Sequence, residues 1–239
     1  MEKQVAALFD IDGTIFRGSL LIEHFKLLLK YNLIPEEFYT SKIKNLEIAY
    51  KNREVDYEIY LEALVDSYRL AIIGLDKLTI DFTAEQTILN CYKKIYKFTK
   101  DEIKKHKEKG NKVIFISGSP DFLVNKMADK LNADLWFGST YLHKNNLITG
   151  DVIPMWDSKS KENTINKLVD FYNLDLENSF AYGDTTGDFI ILKSVKNNFA
   201  INPNKNLVNL LKENKLETTR IIVERKDMIY NLSVEDIIL

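Results

Sequence analysis

The 239-residue chain has one cysteine, Cys91, so it can form no intrachain disulfide and offers no basis for a cysteine-based zinc site. It has no apolar run approaching the roughly 18 residues that a membrane-spanning helix needs. It has little net charge, formally −2, and therefore no general electrostatic attraction to nucleic acid or anionic lipid. Its first residues, Met1-Glu-Lys-Gln4, lack the charged segment, apolar stretch and small-residue cleavage site of a secretory signal and read as leading directly into a strand. The expected setting is the cytoplasm, with neither nucleic acid nor membrane as partner. Glycine and proline are scarce as well. Between Phe16 and Phe98 only Gly18, Pro35 and Gly74 interrupt the chain.

What is present is the composition of a soluble globular protein, 45% hydrophobic and 28% charged, long enough for a core and a smaller domain. In the stretch from Phe16 to Phe98, Leu20, Leu21, Phe25, Leu28 and Leu29 follow helical spacing. Ile43, Leu46, Ile48, Tyr57, Tyr60, Leu61, Leu64 and Tyr68 continue it. The pattern predicts a helical insertion of roughly 80 residues. Outside it, apolar runs of strand length alternate with helical segments.

The first such run, Val5 to Phe9, reads as a buried strand of a parallel sheet and ends in Asp10-Ile-Asp-Gly-Thr14. Two carboxylates leaving a buried strand repel each other unless a positive charge lies between them, and a cation supplies it. A carboxylate there can attack a phosphoryl group while a second moves protons. A plain polar turn is the alternative.

Thr99-Lys-Asp-Glu102 has the form of a capping box that opens a helix ending at Gly110. In that helix Lys104 to Lys109, with His106, reads as a solvated face. Lys112 to Pro120 reads as a second buried strand, which delivers Ser117, Gly118 and Ser119 into a loop that is either an anion site or an ordinary Ser/Gly-rich turn, before a helix from Asp121 to Leu131. Ala133 to Ser139 is a third strand, and 142–153 a hairpin turning at Asn145-Asn146 with His143 on its surface. Trp156 either lines the site or packs. Lys159 and Lys161 begin a helix carrying Ile165, Leu168, Val169 and Tyr172, and a cation at a helix start needs a counter-charge. Ser179 to Tyr182 is a further strand ending in Gly183-Asp-Thr-Thr-Gly-Asp188, whose Asp184 and Asp188 can face one hard cation. Strand Asn198 to Asn202, a turn at Pro203, helix Asn206 to Lys212 and strand Thr219 to Val223 complete the chain.

Asp-x-Asp-Gly-Thr, Ser-Gly-Ser, a lysine and Gly-Asp-x-x-x-Asp occur in this order along the whole chain. They resemble the motifs of the haloacid dehalogenase-like hydrolases. The insertion between the first two, with Ser117-Gly-Ser-Pro120 and Ala200-Ile-Asn-Pro203, is similar to the phosphoserine-phosphatase-like branch. The resemblance implies a doubly wound parallel-sheet α/β core, residues 1–15 and 98–239, with an α-helical cap, 16–97. It implies an Mg²⁺-dependent phosphomonoester hydrolase working on a small phosphorylated metabolite through an aspartyl-phosphate. Asp10 is then the nucleophile and Asp12 the general acid and base. Asp10, Asp12 (through its backbone carbonyl), Asp184 and Asp188 hold Mg²⁺; Thr14, Ser117, Gly118 and Lys161 hold the phosphate. Lys161 matches the family's spacing better than Lys159. A monomer or homodimer is expected. Transfer of the phosphoryl group to another hydroxyl, or phospho-ligand binding without turnover, are the competing readings.

Phosphoserine phosphatases of that branch carry a glutamate shortly after the first motif for the substrate's amino group. This chain has Ser19 there, with Glu23 nearby. Arg17, His24, Arg53 and Arg69 are the cap's candidates for other substrate contacts.

Overall fold

The computed structural model describes residues 3–41 and 43–238. Met1 and Glu2, read as leading into the first strand, lie outside the described residues. Strand β1 (Ala6–Phe9) is buried along its whole length. It pairs in parallel with β2 (Lys112–Pro120) on one side and β5 (Phe180–Gly183) on the other. With β3 (Leu135–Lys144), β4 (Leu147–Ile153), β6 (Asn197–Ile201), β7 (Arg220–Arg225) and β8 (Met228–Leu232), they form one sheet of order β4-β3-β2-β1-β5-β6-β7-β8. Only the edge strands β4 and β8 pair antiparallel.

The two-residue period of a strand sends alternate side chains to opposite faces. Ala7, Phe9, Val113 and Phe115 enter one apolar cluster, while Ala6, Leu8, Ile114 and Ile116 enter the other. The second face is covered by Ile165 and Leu168 of α8 (Ser158–Tyr172), Ile191 and Leu192 of α9 (Phe189–Ser194), and Leu207 and Leu211 of α10 (Lys205–Glu213). The first face receives Ile103 of α6 (Lys97–Glu108) and Leu123 and Met127 of α7 (Asp121–Leu131). Helices on both faces of a mostly parallel sheet make the core doubly wound.

Between β1 and α6 lie α1 (Leu20–Lys30), α2 (Glu37–Thr40), α3 (Ile43–Lys51), α4 (Tyr57–Ala71) and α5 (Lys77–Cys91). Leu20, Phe25, Tyr68 and Ile88 from these helices share the first face's cluster. The two connections to the sheet pair with each other: the Arg17 amide donates to Lys94 O at 2.9 Å and the Tyr96 amide to Ile15 O at 2.9 Å. His24 is packed, its ring bonded to Tyr68 and Thr83. No helix among the described residues is long and apolar enough to cross a membrane.

Several local expectations need correction. α6 begins two residues before the expected cap, with Tyr96 at its start. Thr99 is buried in the first turn and donates to Tyr96 O, and Glu102 turns to Lys105 and Tyr182. His106 is buried, not solvated. Thr99, Ile103 and His106 lie at i, i+4 and i+7 and form the helix's inner face between the lysines. Strand β3 runs on past Ser139 through the hairpin, where Asn145 and Asn146 have φ of 52° and 64° as expected. β8 was not expected: it is an exposed edge strand without the alternation that marks a half-buried one.

His106 sits within a line of hydrogen bonds. Asn111 Nδ2 donates to its Nδ1 at 2.9 Å, its Nε2 meets Tyr182 Oη at 2.9 Å, and Tyr182 donates to Glu102 at 3.1 Å. This order requires the neutral ring, and burial lowers the imidazole's pKa to about 4. The unfolded chain protonates this ring near pH 6.5 while the folded chain does not, so stability falls as pH drops through that interval. Urea denaturation at pH 7.0 and 4.5 should show roughly 2 kcal/mol lost to this group. His106→Gln, which has no titrating ring, should show a smaller loss.

Candidate active site

β1 has β2 and β5 as neighbours and the chain's order reverses at this point, so a crevice opens at the carboxyl ends of these strands. Asp10 follows β1, 117–119 close β2 and Asp184 follows β5. Asp10, Asp12, Ser117, Gly118, Lys161 and Asp184 all line one cavity of about 90 Å³.

After Asp10 the backbone winds into a single turn in which the Thr14, Ile15 and Phe16 amides all point to Ile11 O. Gly13 has φ of +78°, and a Cβ on it would lie 1.9 Å from Asp184 Oδ2, so this position admits glycine alone. Thr14 was expected at the phosphate. Its hydroxyl is fully buried and donates to Asp184 Oδ1 at 3.2 Å, and it does not line the cavity. A buried hydroxyl takes the nearest acceptor, here a carboxylate.

Lys161 lies in the first turn of α8, a helix capped by Asp157 accepting from the Ser160 amide. It is 3% exposed, whereas Lys159 is exposed. Its ammonium lies 3.1 Å from Asp10 Oδ1 and also donates to Asp188 Oδ1. Burial pulls the ammonium's pKa down, yet Asp10 and Asp188 together hold it above its ordinary value. The other Asp188 oxygen accepts from the Asp184 and Thr185 amides at 3.0 and 3.1 Å. Asp188 thereby organises the loop after β5.

Asp10, Asp184 and Asp188 bring one carboxylate oxygen each to within 4.8 Å of one another. Burial, reinforced by Asp188, raises both Asp10 and Asp184 well above the usual carboxylate range. With Asp12 the crevice holds four carboxylates against one ammonium among the described residues. Hard oxygen donors, excess negative charge and the absence of sulfur or imidazole from the group fit a small divalent cation of the Mg²⁺ type.

Asp12 stands outside this trio. Its carboxylate accepts from Ser119 Oγ at 2.5 Å, the Leu20 amide at 2.9 Å and Ser19 Oγ at 3.2 Å. Burial raises its pKa and these three donors hold it down. Removing one donor shifts the balance toward the protonated form. Asp12 has to be protonated to expel the alcohol, so Ser119→Ala should move the alkaline limb of the pH profile of kcat/KM to higher pH, as read from initial rates between pH 4.5 and 9.

Ser117 is buried, and its Oγ accepts from the Ser119 amide at 3.2 Å. A Cβ on Gly118 would meet Trp156 Cβ at 2.9 Å, so glycine lets Trp156 close that wall. From the helical segment, Leu21, Tyr57, Leu61 and Val65 reach the cavity. Glu58 accepts from Thr186 Oγ1 at 3.3 Å, Asn204 Nδ2 at 3.0 Å and Asn206. It ties α4 to the loops around the site.

Tertiary placement explains what sequence reasoning missed. Ser19 and Ser119 find Asp12 only in the fold, Leu61 reads as ordinary helix core, and Val65 falls outside the pattern read from the sequence. Of the cap candidates, Glu23 pairs with Lys94, Arg69 donates to Gly150 O, Arg17 stacks on Tyr96, and Arg53 lies exposed in a turn at φ 63°. None of them lines the cavity.

The haloacid dehalogenase-like hydrolase family model matches residues 7–193. A phosphoserine phosphatase of Methanocaldococcus jannaschii is 31% identical over 94 residues, a stretch covering 39% of this chain and 44% of that relative's length. Two solved structures share the fold across nearly all of both chains. One, from Bordetella pertussis Tohama I and described as of unknown function, has a TM-score of 0.71 at 15% identity and covers 90% of this chain and 97% of its own. The other, a phospho-aspartyl intermediate analogue of phosphoserine phosphatase, has a TM-score of 0.62 at 21% identity and covers 95% and 96%. The chain belongs to the haloacid dehalogenase-like hydrolases, with the fold of their phosphoserine-phosphatase-like branch.

Proposed function

We propose that the protein is an Mg²⁺-dependent phosphomonoester hydrolase that acts on a small phosphorylated metabolite through an aspartyl-phosphate. The observation that carries this reading is the pairing of buried Asp10 with buried Lys161 at the end of β1, beside Asp12, whose carboxylate is bound separately. Asp10 attacks phosphorus and the ester oxygen leaves. Asp12, protonated, donates to that oxygen and as carboxylate then takes a proton from the water that attacks the aspartyl-phosphate, releasing inorganic phosphate. Lys161, the Ser117 hydroxyl and the Gly118 amide hold phosphate oxygens. Asp10, Asp184 and the Asp12 carbonyl would hold Mg²⁺, with Asp188 as ligand or support. When bound, the ion neutralises charge that otherwise keeps a phosphate dianion away from a carboxylate.

The domain reading is a catalytic core of residues 1–15 and 98–239 and a helical cap of 16–97 that closes over the site. The connections paired through Arg17 and Tyr96 support a hinge there. Cytoplasmic location, a monomeric or homodimeric state and the absence of nucleic-acid or membrane partners complete the proposal. Phenyl phosphate hydrolysis with and without Mg²⁺ tests it: turnover should need the metal and stop with a chelator. Metal-independent turnover, or none, contradicts it.

A further inference from the structure

The cavity's lining is of two chemical kinds. Asp10, Asp12, Lys161 and Asp184 are its charged residues. Most of the rest is apolar: Leu21 of α1, Trp156, which packs against Gly118, and Tyr57, Leu61 and Val65, which recur every fourth residue along α4 and so form one stripe of that helix. Ser19 adds a hydroxyl already donated to Asp12.

Among the described residues, no ionised cap side chain lines this cavity. Glu23 holds Lys94, Lys26 and Lys51 share Glu47, Arg17 lies over the Tyr96 ring 5.4 Å from its centroid, and Glu58 is bound by Thr186 and two asparagines. The cavity's 90 Å³ is also far below the roughly 300–1,000 Å³ of sites for drug-sized ligands. Burying an ammonium or carboxylate against the apolar lining would leave it without a partner there.

We infer, resting on the hydrolase reading above, that the substrate is the phosphate ester of a compact, uncharged and largely apolar alcohol, recognised by the Leu21, Leu61, Val65 and Trp156 wall. An amino-acid phosphate such as phosphoserine is a poor fit. Its carboxylate meets a cavity already rich in carboxylates, and neither it nor the ammonium has a charged partner among Leu21, Leu61, Val65 and Trp156, whereas an alkyl chain is desolvated by these four side chains. Tyr57 offers one neutral hydroxyl.

Propyl phosphate and O-phospho-L-serine carry the same three-carbon chain and differ chiefly in the two charged groups. With Mg²⁺, propyl phosphate should show kcat/KM at least about tenfold higher, although serine is the better leaving group. Leu61→Arg should narrow that ratio by supplying a partner for the carboxylate. Equal rates, or a preference for phosphoserine, overturn the inference while leaving the hydrolase reading intact. Loss of all phenyl phosphate turnover strikes the hydrolase reading instead. Calorimetric titration of native protein with both esters then still decides the wall's preference, since tighter phosphoserine binding contradicts it.

Discussion

Asp10→Asn should lower kcat for a phosphomonoester by about 10³-fold or more, roughly 4 kcal/mol of transition-state stabilisation, with a much smaller change in KM. Asparagine keeps the shape of the side chain at the end of β1 and loses the nucleophilic oxygen. The expected effect on stability is opposite in sign. Asp10 is 5% exposed, and burial with Asp188 nearby disfavours its charged form. A neutral amide removes part of the repulsion among four carboxylates, so in the absence of divalent cation the variant should melt no lower than the native protein. Activity lost without loss of stability separates a chemical role from a structural one. Thermal melting with chelator, beside steady-state kinetics, reads both.

Lys161→Met should have the second large effect, this time on both quantities. Removing the ammonium leaves Asp10 and Asp188 buried without their cation, and breaking a buried pair in this way costs about 3–5 kcal/mol. For a chain of this size that lowers Tm by roughly 6–20 °C. The pH dependence follows from the sign of the carboxyl shifts. Asp10 and Asp184 have raised pKa values in the fold, so the folded state takes up protons before the unfolded state does, and their contribution to stability improves as pH falls. The deficit in Lys161→Met should therefore shrink between pH 8 and pH 5. Lys159→Met, at an exposed position one turn face away, should stay within about 0.5 kcal/mol of native stability. Equal losses in the two variants would contradict the placement of Lys161.

The core and the position of the site were legible because buried parallel strands are apolar runs and a carboxylate at their exit is conspicuous. Val5 to Phe9 followed by Asp10, and Ala181 to Gly183 followed by Asp184, show this directly. Choosing Lys161 over Lys159 on chemical grounds required the angle at which α8 leaves its Asp157 cap, a tertiary fact. His106 was hidden by the lysines around it, although its spacing from Thr99 and Ile103 carried the signal. The hydrogen bonds that Ser19 and Ser119 give Asp12 join positions 7 and 107 residues away from it, a relation with no local trace. Leu61 and Val65 have the spacing of helix core, and only the packing of α4 over the strand ends turns that stripe toward the cavity.

The central claim is that the phosphoryl group passes through Asp10. The most direct measurement is to quench the Mg²⁺-loaded native protein in acid during turnover of phenyl phosphate, reduce acyl phosphates with borohydride and map the peptides by mass. The account predicts reduction of residue 10 to homoserine in the native protein, and its disappearance when turnover is blocked by chelator. Covalent phosphate on Ser117 or another side chain, or sustained turnover with no modification at residue 10, would contradict it.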